Sequence, residues 1–142
     1  MPRVGVIGYP LGHTLSPAFQ QAAFDALGIK ARYAAWETAP DRLAETVASL
    51  RDADCLGANV TVPHKQAVIP LIDGLEPLAQ RTGAVNTIVN REGRLQGHNT
   101  DVVGFQRALA STGFDPGNRR ALVLGAGGAA RAIVVALQGS RS

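Results

Sequence analysis

A chain of 142 residues with net charge +3, 46% hydrophobic and 18% charged residues has the composition of one globular domain with a sizeable core. A single cysteine, Cys55, leaves no disulfide framework and no CxxC metal pair, which suits a reducing cytoplasm. Scattered basic residues with 5% aromatics argue against a nucleic-acid partner, apolar runs of about six residues such as Ala132–Leu137 against a membrane span, and the N-terminal composition against a secretory signal.

Val4–Gly8 reads as a short buried strand, followed by the turn Tyr9-Pro10-Leu11-Gly12-His13. A helix then opens at Ser16-Pro17, with Ser16 as cap, Phe19, Ala23, Phe24 and Leu27 as its apolar positions, and Gly28 closing it. Ala31–Trp36 predicts a second strand, and Asp41–Leu50 a helix with Leu43, Val47 and Leu50 on one face. Leu56–Val60 predicts a third strand, with helices expected over His64–Ile72 and Leu75–Arg81. This alternation with short connections argues for a parallel α/β sheet. Ala84–Asn90 and Arg94–Gly97, joined at Arg91-Glu92-Gly93, read as a hairpin that makes the sheet mixed. Asp101–Thr112 predicts a further helix, and Gly113–Asn118 is a linker by composition.

Beyond the linker, the apolar run Ala121–Leu124 leads into Gly125-Ala126-Gly127-Gly128-Ala129-Ala130 and a helical pattern. A glycine turn between strand and helix lets a pyrophosphate approach the backbone and sit on the free N–H groups of the helix start. A βαβ unit also needs a second strand. Only twelve residues follow Ala130, so the unit reads as begun rather than finished, and the chain as the front part of a longer enzyme. The acidic or basic residue that separates NAD from NADP is expected about 20 residues further on, past Ser142.

Several polar residues fall where strands meet helices. Thr14 and Ser16 pair two hydroxyls at a positive helix end, which suits a carboxylate as well as a cap. Asn59-Val60-Thr61-Val62-Pro63-His64-Lys65 ends a strand, where open α/β sheets gather their ligands. Lys65 is expected in a first helical turn, where the dipole and a partly dry cleft would lower its pKa and make it a base. Asp101, in Asn99-Thr100-Asp101, suits the start of the next helix and could pair with Lys65, which would shift that lysine the opposite way. Asn86 sits in an otherwise apolar strand and needs partners, from the backbone or a ligand. His64 reads as a surface histidine without a role.

Together these segments resemble shikimate dehydrogenase. The likeness rests on Gly8-Tyr9-Pro10 with Leu15-Ser16-Pro17, the stretch Asn59–Lys65, Gly83-Ala84-Val85-Asn86-Thr87, Gly97-His98-Asn99-Thr100-Asp101 and Gly125–Arg131, in the family's order across nearly the whole chain. The resemblance implies NADP-dependent interconversion of 3-dehydroshikimate and shikimate in aromatic amino acid synthesis, in a cleft between a substrate lobe and a Rossmann-type lobe. By position, Thr14 and Ser16 would hold the substrate carboxylate, and Thr61, Asn86 and Asp101 its ring hydroxyls. Lys65 and Asp101 would be the catalytic pair, Lys65 also binding the substrate, and Gly125, Ala126, Gly127, Gly128 and Ala129 would meet the cofactor. It divides the chain into a substrate domain (1–100), a connecting helix and linker (101–117) and the start of the nucleotide domain (118–142). The implied partner is a small molecule, with homodimerisation open. Thr14 stands where the family usually has serine, which raises quinate as a competing substrate, and a binding lobe without turnover is the other alternative.

Overall fold

The structure is a computed structural model and describes residues 1–139. Its centre is a mixed six-stranded sheet in the order β2-β1-β3-β5-β6-β4, formed by β1 (Arg3–Gly8), β2 (Arg32–Glu37), β3 (Cys55–Val60), β4 (Gly74–Leu75), β5 (Thr87–Arg91) and β6 (Arg94–His98). β1 runs parallel to both β2 and β3, whereas β5 is antiparallel to β3 and to β6. The mixed α/β class expected from the sequence is the one found. The hairpin turns through Glu92 at φ +55° and Gly93 at φ +84°, the two positive-φ positions that a tight two-residue connection of this twist requires.

Both faces of β1 are covered. Ile7 points into a core with Leu43 and Val47 from α2 (Leu43–Ser49) and Leu50 just after it, joined by Val60, Val85, Ile88 and Leu95. Val6 points the other way, into a smaller cluster with Leu11, Tyr33 and Phe24 of α1 (Ser16–Ala26). The alternation follows from the two-residue side-chain period of a strand. Ile7, Leu50, Val85 and Leu95 are completely shielded, and each such side chain contributes roughly 1.5–3 kcal/mol. The α1 face expected from its apolar spacing is only half used: Phe24 packs edge-on to Tyr33, while Phe19 and Leu27 stay in solvent.

Three local expectations fail for identifiable reasons. The helix expected over His64–Ile72 is a series of turns ending in a 3-10 segment at Ile69–Leu71. Pro70 has no N–H to continue a helix and disfavours helical geometry at Ile69, so the chain closes with short bonds from Ile69 N to Gln66 O and Leu71 N to Val68 O. The short helix placed at Leu75–Arg81 is α3 (Pro77–Thr82), because Leu75 pairs with Gly97 in the sheet. Ala121–Leu124 forms no strand: Leu122 and Leu124 are each 86% exposed. A strand is held by a neighbour's backbone groups, and among the described residues none lies beside it.

Two helices close the described chain, α4 (Asp101–Ser111) and α5 (Gly128–Gln138). Ala132, Val135 and Ala136 of α5 pack on Val102 and Phe105 of α4 and Leu78 of α3. The end of the expected 118–142 unit, residues 140–142, lies outside the described residues. No helix among the described residues is long and apolar enough to cross a membrane.

Candidate active site

The parallel strands β1, β3 and β6 end at one edge of the sheet, where antiparallel β5 begins. Loops leaving that edge carry Thr14 and Ser16 after β1, Thr61 and Lys65 after β3, Asn86 just before β5, and Asp101 after β6. Connections at the carboxyl ends of strands are where an open α/β sheet builds its site, and the sequence-predicted residues fall there.

Lys65 Nζ donates to Asp101 Oδ2 at 2.6 Å, and both side chains are largely withdrawn from solvent, 14% and 32% exposed. The Lys65 main chain is fixed as well, because its carbonyl accepts the Val85 N–H at 2.7 Å. Residues 64–72 form no α-helix, so Lys65 does not stand in the first helical turn expected for it; Asp101 is its charged partner. Asp101 opens α4, where a carboxylate meets the positive helix end.

Asn99 holds that helix start. Its buried Oδ1 accepts the N–H groups of Asp101 and Val102 at 3.1 and 3.3 Å, and its Nδ2 donates to Ala84 O at 3.0 Å. Asn86 Nδ2 donates to the free Asp101 oxygen, Oδ1, at 3.0 Å and to Thr100 Oγ1 at 2.7 Å. Asn86 Oδ1 accepts the Thr100 N–H at 2.8 Å, so this amide ties β5 to the start of α4. Both carboxylate oxygens of Asp101 are therefore held by named partners, which fixes its plane.

Thr14 and Ser16 lie at the same sheet edge but make no hydrogen bond to this cluster among the described residues. Thr14 Oγ1 accepts the Ser16 N–H at 3.3 Å. Ser16 is thus not the cap expected: the capping position falls on Leu15, and Ser16 is the first helical residue, its hydroxyl free of the backbone. Thr61 turns its methyl toward Gly8 at the end of β1. His64, read as a surface residue, is 1% exposed, with Nε2 2.7 Å from Thr38 O. The sequence reading also gave no role to Asn59, Thr87 or Tyr33, which form a hydrogen-bonded row beside Asn86. The available signal was polarity at the ends of apolar strands, since a half-buried amide or hydroxyl needs a partner.

The glycine turn lies against the same cluster. A Cβ placed on Gly128 would fall 2.7 Å from Lys65 Cδ and 2.9 Å from Lys65 Cβ, so the start of α5 touches the lysine stem. Gly125 has φ +114°, a conformation that favours glycine, and nothing lies within 4 Å of a Cβ at Gly125 or Gly127. The backbone there is open to a phosphate at a helix N-terminus, which fits a dinucleotide held by Gly125, Ala126, Gly127, Gly128 and Ala129.

Comparison with known proteins agrees with this geometry. The family model described as the shikimate dehydrogenase substrate binding domain matches residues 6–88. The chain is 52% identical to a shikimate dehydrogenase (NADP(+)) of Moorella thermoacetica over 134 residues, which is 94% of this chain and 45% of that protein. It superposes with a TM-score of 0.91 on a crystal structure of shikimate 5-dehydrogenase from Thermus thermophilus in complex with shikimate, at 45% identity, covering 99% of this chain and 53% of the other. A ligand-free 5-ketofructose reductase of Gluconobacter sp. strain CHM43 gives 0.85 at 36% identity, over 99% of this chain and 50% of the other. The chain spans about half the length of the curated relatives it matches. With its substrate-domain match covering more than half of its residues, the chain belongs to the shikimate dehydrogenase family.

Proposed function

We propose that this chain carries the substrate lobe and the acid–base pair of an NADP-dependent shikimate dehydrogenase. Residues 1–100 would be the substrate domain, 101–117 the connection, and 118–142 the start of the nucleotide domain. The observation that carries this reading is the 2.6 Å contact of Lys65 with Asp101 at the strand ends, Asn86 holding the second carboxylate oxygen. Its setting in a cytoplasmic pathway of small molecules, without nucleic acid or membrane as partner, follows from the same reading; a monomer and a homodimer are both compatible with it.

Thr14 and Ser16 offer hydroxyl donors for a ring carboxylate, and Thr61, Asn86 and Asp101 offer partners for ring hydroxyls. Lys65, as the neutral amine, takes the proton of the C3 hydroxyl during oxidation and, as the ammonium so formed, returns it during reduction, with Asp101 orienting Nζ. NADP, when bound, accepts or supplies the hydride at C3. Close positioning of the two reactants accounts for much of the rate in such a site.

A chain continued to the length of its relatives should reduce NADP in the presence of shikimate, followed by NADPH absorbance. Quinate and 5-ketofructose in the same assay define the substrate class; turnover confined to 5-ketofructose would overturn the assignment. Segment 121–124, which pairs with no strand among the described residues, favours a second reading for the chain by itself: shikimate binding without measurable NADPH affinity. Calorimetry with each ligand separates the two readings.

A further inference from the structure

We propose that Tyr33, on the edge strand β2, is a positioning residue for the Lys65–Asp101 pair and acts through the side chains of Asn59, Thr87 and Asn86. The inference rests on the reading of Lys65 and Asp101 as the reacting pair.

The row is continuous. Tyr33 OH donates to Asn59 Oδ1 at 2.7 Å, Asn59 Nδ2 to Thr87 Oγ1 at 3.2 Å, Thr87 Oγ1 to Asn86 Oδ1 at 3.2 Å, and Asn86 Nδ2 to Asp101 Oδ1 at 3.0 Å. Lys65 then meets the other oxygen of Asp101. Asn59 and Thr87 are direct partners in the β3–β5 register, which places the middle of the row on rigid sheet.

Its direction is forced from one fixed point. The Thr100 N–H can only donate, so the atom of Asn86 that meets it must be the amide oxygen. That oxygen can only accept, so the Thr87 hydroxyl must donate to it and must accept from Asn59. Asn59 therefore turns its NH2 group to Thr87 and its oxygen to Tyr33, whose hydroxyl must be a protonated donor. Burial pushes the Tyr33 hydroxyl up to about 12, so it remains a donor throughout the neutral range. Tyr33 is itself seated by Phe24 against its ring and by Gln21 Oε1, which accepts its N–H. Without the Tyr33 donor, Asn59 can turn over; Thr87 then loses its donor and is free to rotate away from Asn86, and one restraint on the plane of Asp101 is lost.

The test uses the intact chain with Tyr33→Phe, Thr87→Val, Thr87→Ser and the Tyr33→Phe/Thr87→Val double variant. NMR of the side-chain amides is read first, without ligand. Asn86 should move in Tyr33→Phe and in Thr87→Val and return in Thr87→Ser, while Asn90, which donates to Cys55 O and Asp52 O instead, stays in place. Shikimate affinity by calorimetry should fall roughly three- to tenfold in each of the two variants that break the row. The double variant should be no weaker than the worse single, because both cut one chain. An unmoved Asn86 in Tyr33→Phe, or additive losses in the double variant, would overturn the proposal. If the unaltered chain binds no shikimate, the substrate reading fails, and the amide spectra still decide whether the row transmits. If Tyr33→Phe does not fold, Thr87→Val against Thr87→Ser decides.

Discussion

The glycine turn and Lys65 are in direct contact: a side chain at Gly128 would have to occupy the space taken by the Lys65 stem, 2.7 Å from Cδ. A small residue is usually explained here by the approach of a phosphate or of the adjacent strand. In this chain it also makes room for the side chain that meets Asp101.

Gly128→Ala should therefore injure the Lys65 site before it injures the nucleotide site. The added methyl meets Lys65 at Cβ as well as Cδ, so a swing of the ammonium end cannot relieve the clash. Overpacking of this kind costs about 1–3 kcal/mol where the surroundings cannot yield. Shikimate affinity by calorimetry should drop in Gly128→Ala, whereas Gly127→Ala, with open space around it, should leave it unchanged.

Removing either member of the proposed acid–base pair should lower turnover. In a chain continued to the length of its relatives, Lys65→Ala should lower kcat by about 10²–10⁴, the range for a lost general acid–base group. Asp101→Asn keeps the shape but loses the charge facing Lys65, and should lower kcat while raising KM, because Asp101 also stands among the proposed substrate contacts. Steady-state kinetics by NADPH absorbance read both.

Tyr33 should set the alkaline limit of stability. Its folded value is raised by burial from 10.0 to about 12, so the neutral phenol is the form that folding favours. The stabilisation is complete below about pH 10, where both states are protonated, and is lost as pH rises toward 12; two units correspond to roughly 2–3 kcal/mol. Denaturant midpoints should fall across that window. Tyr9 is the other tyrosine, so Tyr9→Phe leaves Tyr33 as the only phenol to follow by absorbance.

Asp73 should act at the opposite limit. The Arg51 guanidinium and the Leu95 N–H hold its carboxyl below the ordinary carboxylate value. A depressed folded value means stability that is present above the unfolded pKa and is lost as pH falls through the folded one. Thermal unfolding scans should show Tm dropping as the solution is acidified below pH 3.8, the ordinary value for this carboxyl. Asp73→Asn should flatten that part of the dependence.

The sheet and the Lys65–Asp101 contact were legible in the sequence for different reasons. The period-two and period-3.6 patterns located β1, β2, β3 and α2, and the polar residues at strand ends located Lys65, Asn86 and Asp101. Periodicity misled at His64–Ile72, where one proline outweighs the apolar spacing, and at Ala121–Leu124, where an apolar run has no strand beside it among the described residues. Ser16 misled because a hydroxyl before a proline suits both the cap and the first helical position, and local pattern cannot tell them apart. The row that ends at Asn86 was hidden for a deeper reason: Tyr33, Asn59 and Thr87 come from three strands, and only the register brings them into line.

The central claim is that Lys65 and Asp101 face one bound ring acid, and calorimetric titration of shikimate into the chain and into Lys65→Met tests it most directly. Saturable one-site binding that weakens at least tenfold in Lys65→Met, with Tm little changed, is the expected result. Equal affinity in the two proteins would show that the ring binds away from the pair and would contradict the claim.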